Sequence, residues 1–425
     1  MQLQTIRVKW NTKSLAYVQI LFILVMLWLR DVLHFPSAIS YITDVVLVCM
    51  LIQGFRQNPN LRILKDTLPQ FIIVCCILLF MLFGVAINGV NPLLVLWGMR
   101  NNLRFFIFFF ICVNRLDRSD VTNLLRLFKK FYWANLVMCF IQYYGFGLKA
   151  DYLGGFFGTV RGCNAYLNVF LCIVCADVIA DFFTYKRKGA MLALYLCTAV
   201  YIAFLAELKV FYFELPLMLA LVVIFSKPSL KTISITIICA VGFWIGLLAL
   251  AAYDPKTFGV LLDADALEMY LAGGGYTNSG DLNRFTAINQ ISNTFFSGSP
   301  LRTLFGFGLG GCEYSQFSFL QSEFALQHGG LNYRWFTHAW VYLEQGAVGL
   351  ILLLLFFVSL LIYACRRAKK SNKSHMAIAI AFLPTCLLGL LYNTVIQIEC
   401  CYIIAFACAI PYIMNKSGTE QEARE

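Results

Sequence analysis

The chain alternates long apolar runs with short polar breaks, and only one polar stretch is long. Twelve runs approach the roughly 20 mostly apolar residues that a membrane-crossing helix needs. They lie at 14–34, 37–55, 67–88, 92–113, 131–147, 164–183, 190–208, 210–226, 232–252, 338–364, 375–393 and 395–414. Backbone polar groups inside a bilayer must bond within their own segment, so such runs predict helices. The expected fold is all-α: a polytopic membrane protein of about 12 transmembrane helices, nine in residues 1–252 and three in 338–414, ending in a short tail at 415–425. The long break, residues 253–337, is too polar for lipid and is expected as a partly helical loop on one side of the membrane. One stretch is amphipathic rather than apolar. Between Val121 and Trp133, Leu124, Leu125, Phe128 and Phe131 share one side while Arg126, Lys129 and Lys130 share another. A helix lying along the inner surface ahead of the fifth span is expected there.

Charge sets the orientation. With the N-terminus inside, 23 of the 33 Lys and Arg residues fall on cytoplasmic segments, as the inward bias of basic residues in membrane proteins requires. Both termini are then cytoplasmic and the long loop is outside. Ten basic residues fall elsewhere: Arg30, Arg100, Arg104, Lys149, Arg161, Lys209, Lys256, Arg284, Arg302 and Arg334.

Composition agrees. The 425 residues are 60% hydrophobic and 13% charged, with a mean hydropathy of +0.75, whereas soluble domains are nearer one quarter charged. The formal charge of +11 therefore reads as inward bias, and no nucleic acid is implied. Most of the 16 cysteines lie in apolar runs, where cysteine acts as a small hydrophobe. Cys172 and Cys175 have C-x-x-C spacing but fall mid-span, which argues against zinc or redox work. Cys163 and Cys312 fall in outer loops and are able to pair, although nothing in their spacing compels it. Arg7, Lys9 and Lys13 precede the first run without a small-residue cleavage site, so that run reads as a signal anchor. No internal repeat of the transporter kind is visible.

The out-of-place cations carry the candidate chemistry. Arg100 and Arg104 lie one turn apart in WGMRNNLRFFIFFF. They would share a helix face and form a cationic pocket within a span. Pairing with Asp44 or with backbone carbonyls is the competing account. Lys209 stands between Glu207 and Glu214 at the outer turn from the seventh span to the eighth. It is either a salt-bridged hinge or an ammonium open to a lipid-linked phosphate. Arg161 ends the glycine-rich GGFFGTVR, a loop suited to clamping phosphate.

Arg284 and His338 make the strongest pair. An imidazole moves its proton near neutral pH and suits a general base against a sugar hydroxyl. A guanidinium suits a diphosphate as charge gathers on the leaving oxygen. A helix-capping histidine and a solvent-facing arginine are the plainer alternatives. His328 reads as an ordinary turn residue. The spacing Gly306-x-Gly308-x-x-Gly311 matches a nucleotide-binding pattern but lacks its strand-to-helix setting and lies outside the cell. These glycines are expected to let the loop turn close to the membrane or the substrate.

Together these motifs resemble the O-antigen polymerase and ligase superfamily, bacterial membrane glycosyltransferases of the GT-C type. The likeness rests on the late outer loop, on Asn283-Arg284-Phe285 within it, and on the turn at Gly306, Gly308 and Gly310. It rests also on His338 opening the next span ahead of Glu344, Gly346 and Gly349, with earlier matches at Arg161 to Asn164 and at Lys209. The resemblance implies an inverting, metal-independent transfer, without cofactors, on the outer face of the bacterial plasma membrane. The donor would be an oligosaccharide on undecaprenyl diphosphate. His338 and Arg284 would be catalytic, and Arg161, Lys209, Arg100, Arg104 and Glu344 would bind diphosphate or glycan. Membrane lipid and a chain-length regulator protein are the other partners implied. Three positions depart from the family pattern: Ala339 replaces an Asn after the His, the His-to-Glu spacing is shorter by about one turn, and Lys209 replaces an Arg. The last leans toward a polymerase of O-antigen, capsule or exopolysaccharide. A ligase moving glycan to lipid A-core or another acceptor is the near alternative. A transporter of the lipid-linked oligosaccharide is the distant one, with an outer loop that merely binds a partner beside it.

Overall fold

The computed structural model describes residues 11–57, 65–185, 189–225, 263–272, 280–370 and 374–422, with scattered positions between 234 and 259. Among these residues the chain is all-helical. Fifteen helices position the site: α1 (Thr12–Asp31), α2 (Ile42–Gln57), α3 (Leu68–Asn88), α4 (Pro92–Arg115), α5 (Arg118–Phe140), α6 (Asn164–Tyr185), α7 (Gly189–Leu205), α8 (Phe211–Phe225), α9 (Ala264–Ala272), α10 (Ala287–Phe295), α11 (Pro300–Phe305), α12 (Glu323–His328), α13 (Thr337–Lys370), α14 (Ser374–Tyr392) and α15 (Cys401–Glu422).

Seven of them are long and apolar enough to cross a membrane: α1, α2 with its leading turn, α3, α4, α6, α13 and α14. The other five expected spans differ for separate reasons. α7 and α8 have 17 and 15 residues, short of a full crossing. α5 is too charged, carrying Asp120, Arg126, Lys129 and Lys130. The run at 395–414 is helical only from Cys401. The run at 232–252 lies for the most part outside the described residues.

One further expectation is corrected. Residues 121–133 do not form a separate surface helix. Asp117 caps α5 through the backbone N–H groups of Ser119 and Asp120, while Asp120 returns a bond to the Asp117 N–H, so one unbroken helix runs to Phe140. Arg126 and Lys130 of the charged face are exposed, but Lys129 turns inward and bridges Asp177 and Asp181 of α6 at 2.8 and 2.9 Å. Cys163 and Cys312 are both free thiols. Cys163 lies against the Asp151 carbonyl, and Cys312 belongs to the loop core.

α6 is the axis of the bundle: 83% of it is buried, against 22% of α2. That enclosure explains a helix that is mostly apolar all round and whose polar side chains Asn168 and Asp177 find partners inside the bundle, on Glu214 and Lys129. α15 packs along α4, and α14 packs on α6, α8 and α13. One end of the bundle is tied by ion pairs. Lys13 reaches Asp117 and Asp120, each at 2.8 Å, and Asp66 receives Tyr363, Arg367 and Asn415. The opposite end carries residues 280–336 of the long loop, which have their own small core. Leu282, Ile291, Phe296, Phe324 and Tyr333 pack there against Trp340, Tyr342 and Leu343 from the start of α13.

The glycine turn docks this loop onto the bundle. Gly310 has φ +86°, and a Cβ there would collide with the Leu94 carbonyl of α4. Gly346 breaks α13 with φ 63° and ψ −163°, and a Cβ there would strike the Leu304 backbone. Only glycine meets both demands. The glycines thus bring the turn against α3, α4 and α13.

Candidate functional site

The end of the bundle beneath the long loop holds a cavity of about 600 Å³. Five pieces of chain wall it: the last turn of α1, residues 151–166 running from the loop into α6, the turn between α7 and α8, Arg284 from the long loop, and the paired segments 334–336 and 392–399. Five basic residues line it, Arg30, Arg161, Lys209, Arg284 and Arg334, against three carboxylates, Asp151, Glu207 and Glu399.

Each wall is held by its own bonds. Arg30 is paired with Asp31 at 2.7 Å, and the other Asp31 oxygen accepts the Thr159 N–H at 3.0 Å, joining α1 to the 151–164 loop. Asn164 donates to Asp151 at 3.1 Å and to the Ala206 carbonyl at 3.2 Å. That pair brings the Arg161 loop to the Lys209 turn, whose backbone is set by Glu207 at φ 50°. Glu214, expected as one of the carboxylates beside Lys209, instead accepts from Asn168 at 2.9 Å deep in the bundle.

The arginines are laid on aromatic rings. The Arg284 guanidinium stands 3.6 Å from the Tyr392 ring centre and 5.2 Å from that of Phe336. Arg161 lies 5.0 Å over Trp335, and Arg334 4.0 Å over Tyr314. Stacking holds the plane of a guanidinium and leaves its N–H edge to point sideways. Such an edge matches the two oxygens of a phosphate.

Of the residues expected from the sequence, Arg161, Lys209 and Arg284 come together here. The other four do not line the cavity. His338 is 6% exposed. Its Nε2 lies 2.8 Å from the Arg284 carbonyl and its Nδ1 3.3 Å from that of Leu390. Both ring nitrogens face backbone oxygens; a neutral ring has one N–H and donates to one of them, and the shorter contact ties the ring to the Arg284 peptide rather than to the cavity. Glu344 is 1% exposed and accepts the backbone N–H groups of Gly310 and Cys312 at 3.2 and 3.1 Å. It anchors the glycine turn.

Arg100 and Arg104 form the floor's support. Arg100 is paired with Asp44 at 2.7 Å. Arg104 is paired with Glu399 at 3.1 Å and donates to the Gln397 carbonyl. These are the Asp44 and carbonyl partners of the competing account. Their charge is met by Asp44 and by the lining Glu399 rather than offered to the cavity itself.

Sequence reasoning did not assign Arg30, Arg334, Tyr392, Trp335 or Glu399. Arg30 and Arg334 were already marked as basic residues away from the cytoplasmic segments. Glu399 gave less warning, because it falls inside an apolar run. Residues 393–400 are not helical, and irregular backbone at membrane depth survives only where it lines a cavity or is buried in protein. Among the described residues no three His, Cys, Asp or Glu side chains are arranged to hold a metal ion.

No protein-family model matches this chain, and a search of curated proteins returns no match.

Proposed function

We propose that the protein is a membrane glycosyltransferase of the polysaccharide-polymerase type, acting on lipid-linked repeat units at the outer face of a bacterial plasma membrane. The observation that carries this reading is the convergence of Arg161, Lys209 and Arg284, far apart in sequence, on one cavity, with Arg161 and Arg284 each over an aromatic ring. A cavity of about 600 Å³ falls within the range that holds a small ligand, enough for a diphosphate and the sugars next to it. The diphosphate would take the cations, and the stacked aromatics Trp335 and Tyr392 would flank the sugar.

In this reading the lipid diphosphate is the leaving group. Arg161, Lys209 and Arg284 stabilise the charge that builds on it as the anomeric bond breaks. His338 contributes by holding the Arg284 peptide. Arg334 and Arg30 complete the positive wall. The basic-residue count supports this sidedness, with this end of the bundle outside. The ligase alternative uses the same donor and differs only in the acceptor.

The test is turnover by purified protein in proteoliposomes supplied with polyprenyl-diphosphate repeat units. Wild type is expected to lengthen chains. Arg284→Ala and Lys209→Ala are each expected to lose about 10²-fold or more in rate, the scale of removing one donor to a developing charge. Full activity in both variants would remove the cavity from the reaction. Transfer to a lipid A-core acceptor without chain growth would convert the reading to a ligase.

A further inference from the structure

Resting on the reading above, the structure assigns a further role inside the cavity: we propose that Glu399 is the carboxylate that binds the acceptor hydroxyl and takes its proton. Chemistry at an anomeric centre that inverts needs a group on the face opposite the leaving diphosphate to receive that proton, and in inverting glycoside chemistry the group is a carboxylate. His338 does not fill the role, since both its ring nitrogens face carbonyl oxygens.

Three carboxylates line the cavity. Asp151 is half exposed at the rim and lies 3.6 Å from Arg161. Glu207 is exposed on its turn. Glu399 differs from both: its side chain is 16% exposed and it stands on the floor. The floor lies deep. Arg104, which holds Glu399, is twelve residues beyond the start of α4, about 18 Å along the helix.

The surroundings of Glu399 fix its direction. Oε1 is held by Arg104 at 3.1 Å, with Arg100 at 3.7 Å behind it. Oε2 accepts the Tyr166 hydroxyl at 3.0 Å. A carboxylate oxygen has two lone pairs, so Oε2 retains capacity for a second hydroxyl. The arginines keep the group ionised and immobile. They also weaken it as a base, which is tolerable where the leaving group departs early, because the attacking hydroxyl grows acidic as its bond to carbon forms.

The step balances. The acceptor oxygen gives its O–H proton to Oε2 and uses a lone pair to bond the anomeric carbon. The carbon–oxygen bond to the diphosphate breaks, and its electron pair leaves with the polyprenyl diphosphate. Arg100 and Arg104 are then positioning residues: they hold Glu399, not the substrate.

The test uses the full chain in proteoliposomes with polyprenyl-diphosphate repeat units, with and without sodium azide. Azide attacks without needing to lose a proton, so it replaces an acceptor whose base is missing. Glu399→Gln is expected to lengthen chains about 10²-fold or more slowly, with KM for the donor within about twofold. Azide is expected to restore donor consumption, yielding glycosyl azide of inverted configuration. Unchanged chain growth in Glu399→Gln, or a loss that azide does not relieve, overturns the assignment. Should Glu399→Gln fail to fold, Glu399→Asp keeps the ion pair, draws the carboxylate back by one methylene, and is read by the same azide rescue. Wild-type protein that consumes no lipid-linked donor would sink the glycosyltransferase reading itself, an outcome distinct from either result with the variants.

Discussion

Glu313 is fully buried in the glycine turn and bonded to Asn101 of α4 at 2.9 Å. Burial pushes its carboxyl up, against the pull of Asn101 and of the cations Arg334, Arg100 and Arg104. A carboxyl raised on folding weakens the fold when it ionises: stability is full below the unfolded value near 4 and falls as pH rises toward the folded one. Glu313→Gln keeps an acceptor for Asn101 and removes that penalty. The melting temperature of Glu313→Gln relative to wild type is therefore expected to rise between pH 5 and pH 8, and a difference that stays flat would contradict it. At this scale the sequence was informative where a charge stood in the wrong place. Arg161, Lys209 and Arg284 were visible because the basic-residue bias excluded them from the cytoplasmic segments. His338 was visible as a residue but not as an orientation, since its ring is set by a carbonyl 54 positions away. Glu344 was visible as part of a spacing and turned out to hold the backbone of Gly310 and Cys312.

At the scale of elements, the ends of helices decide how the bundle is tied. Tyr363 and Arg367 of α13 and Asn415 of α15 all donate to one oxygen of Asp66, at 3.0, 2.9 and 3.0 Å. That single carboxylate, just ahead of α3, fastens three helices at the end away from the cavity. Asp66→Ala leaves three donors to find water and is expected to cost about 1–3 kcal/mol, read as a lower melting temperature in detergent with the donor KM unchanged. An unchanged melting temperature would mean the junction contributes nothing. The apolar runs predicted most helices to within a few residues, because length and hydropathy suffice for a segment that faces lipid. They failed at the amphipathic stretch 121–133, where Lys129 finds its carboxylates on α6 rather than in water. They failed also at 395–400, the start of an expected span, which is not helical and lends Ile398 and Glu399 to the cavity wall. Composition alone does not distinguish these cases, as the deciding partners come from elsewhere in the chain.

For the molecule as a whole, the two ends of the bundle divide the work. One is closed by ion pairs, Lys13 with Asp117 and Arg367 with Asp66. The other opens into a cationic cavity covered by the 280–336 loop, whose glycine turn presses on α3, α4 and α13. The proposed function depends above all on this cavity holding the diphosphate of a lipid-linked glycan through Arg161, Lys209 and Arg284. Its most direct test is equilibrium binding of undecaprenyl diphosphate to the purified protein in nanodiscs, compared with undecaprenyl monophosphate. Saturable binding is expected that prefers the diphosphate and weakens about tenfold or more in Arg161→Ala, Lys209→Ala and Arg284→Ala alike. Equal affinity for both lipids, or binding untouched by all three substitutions, would contradict it.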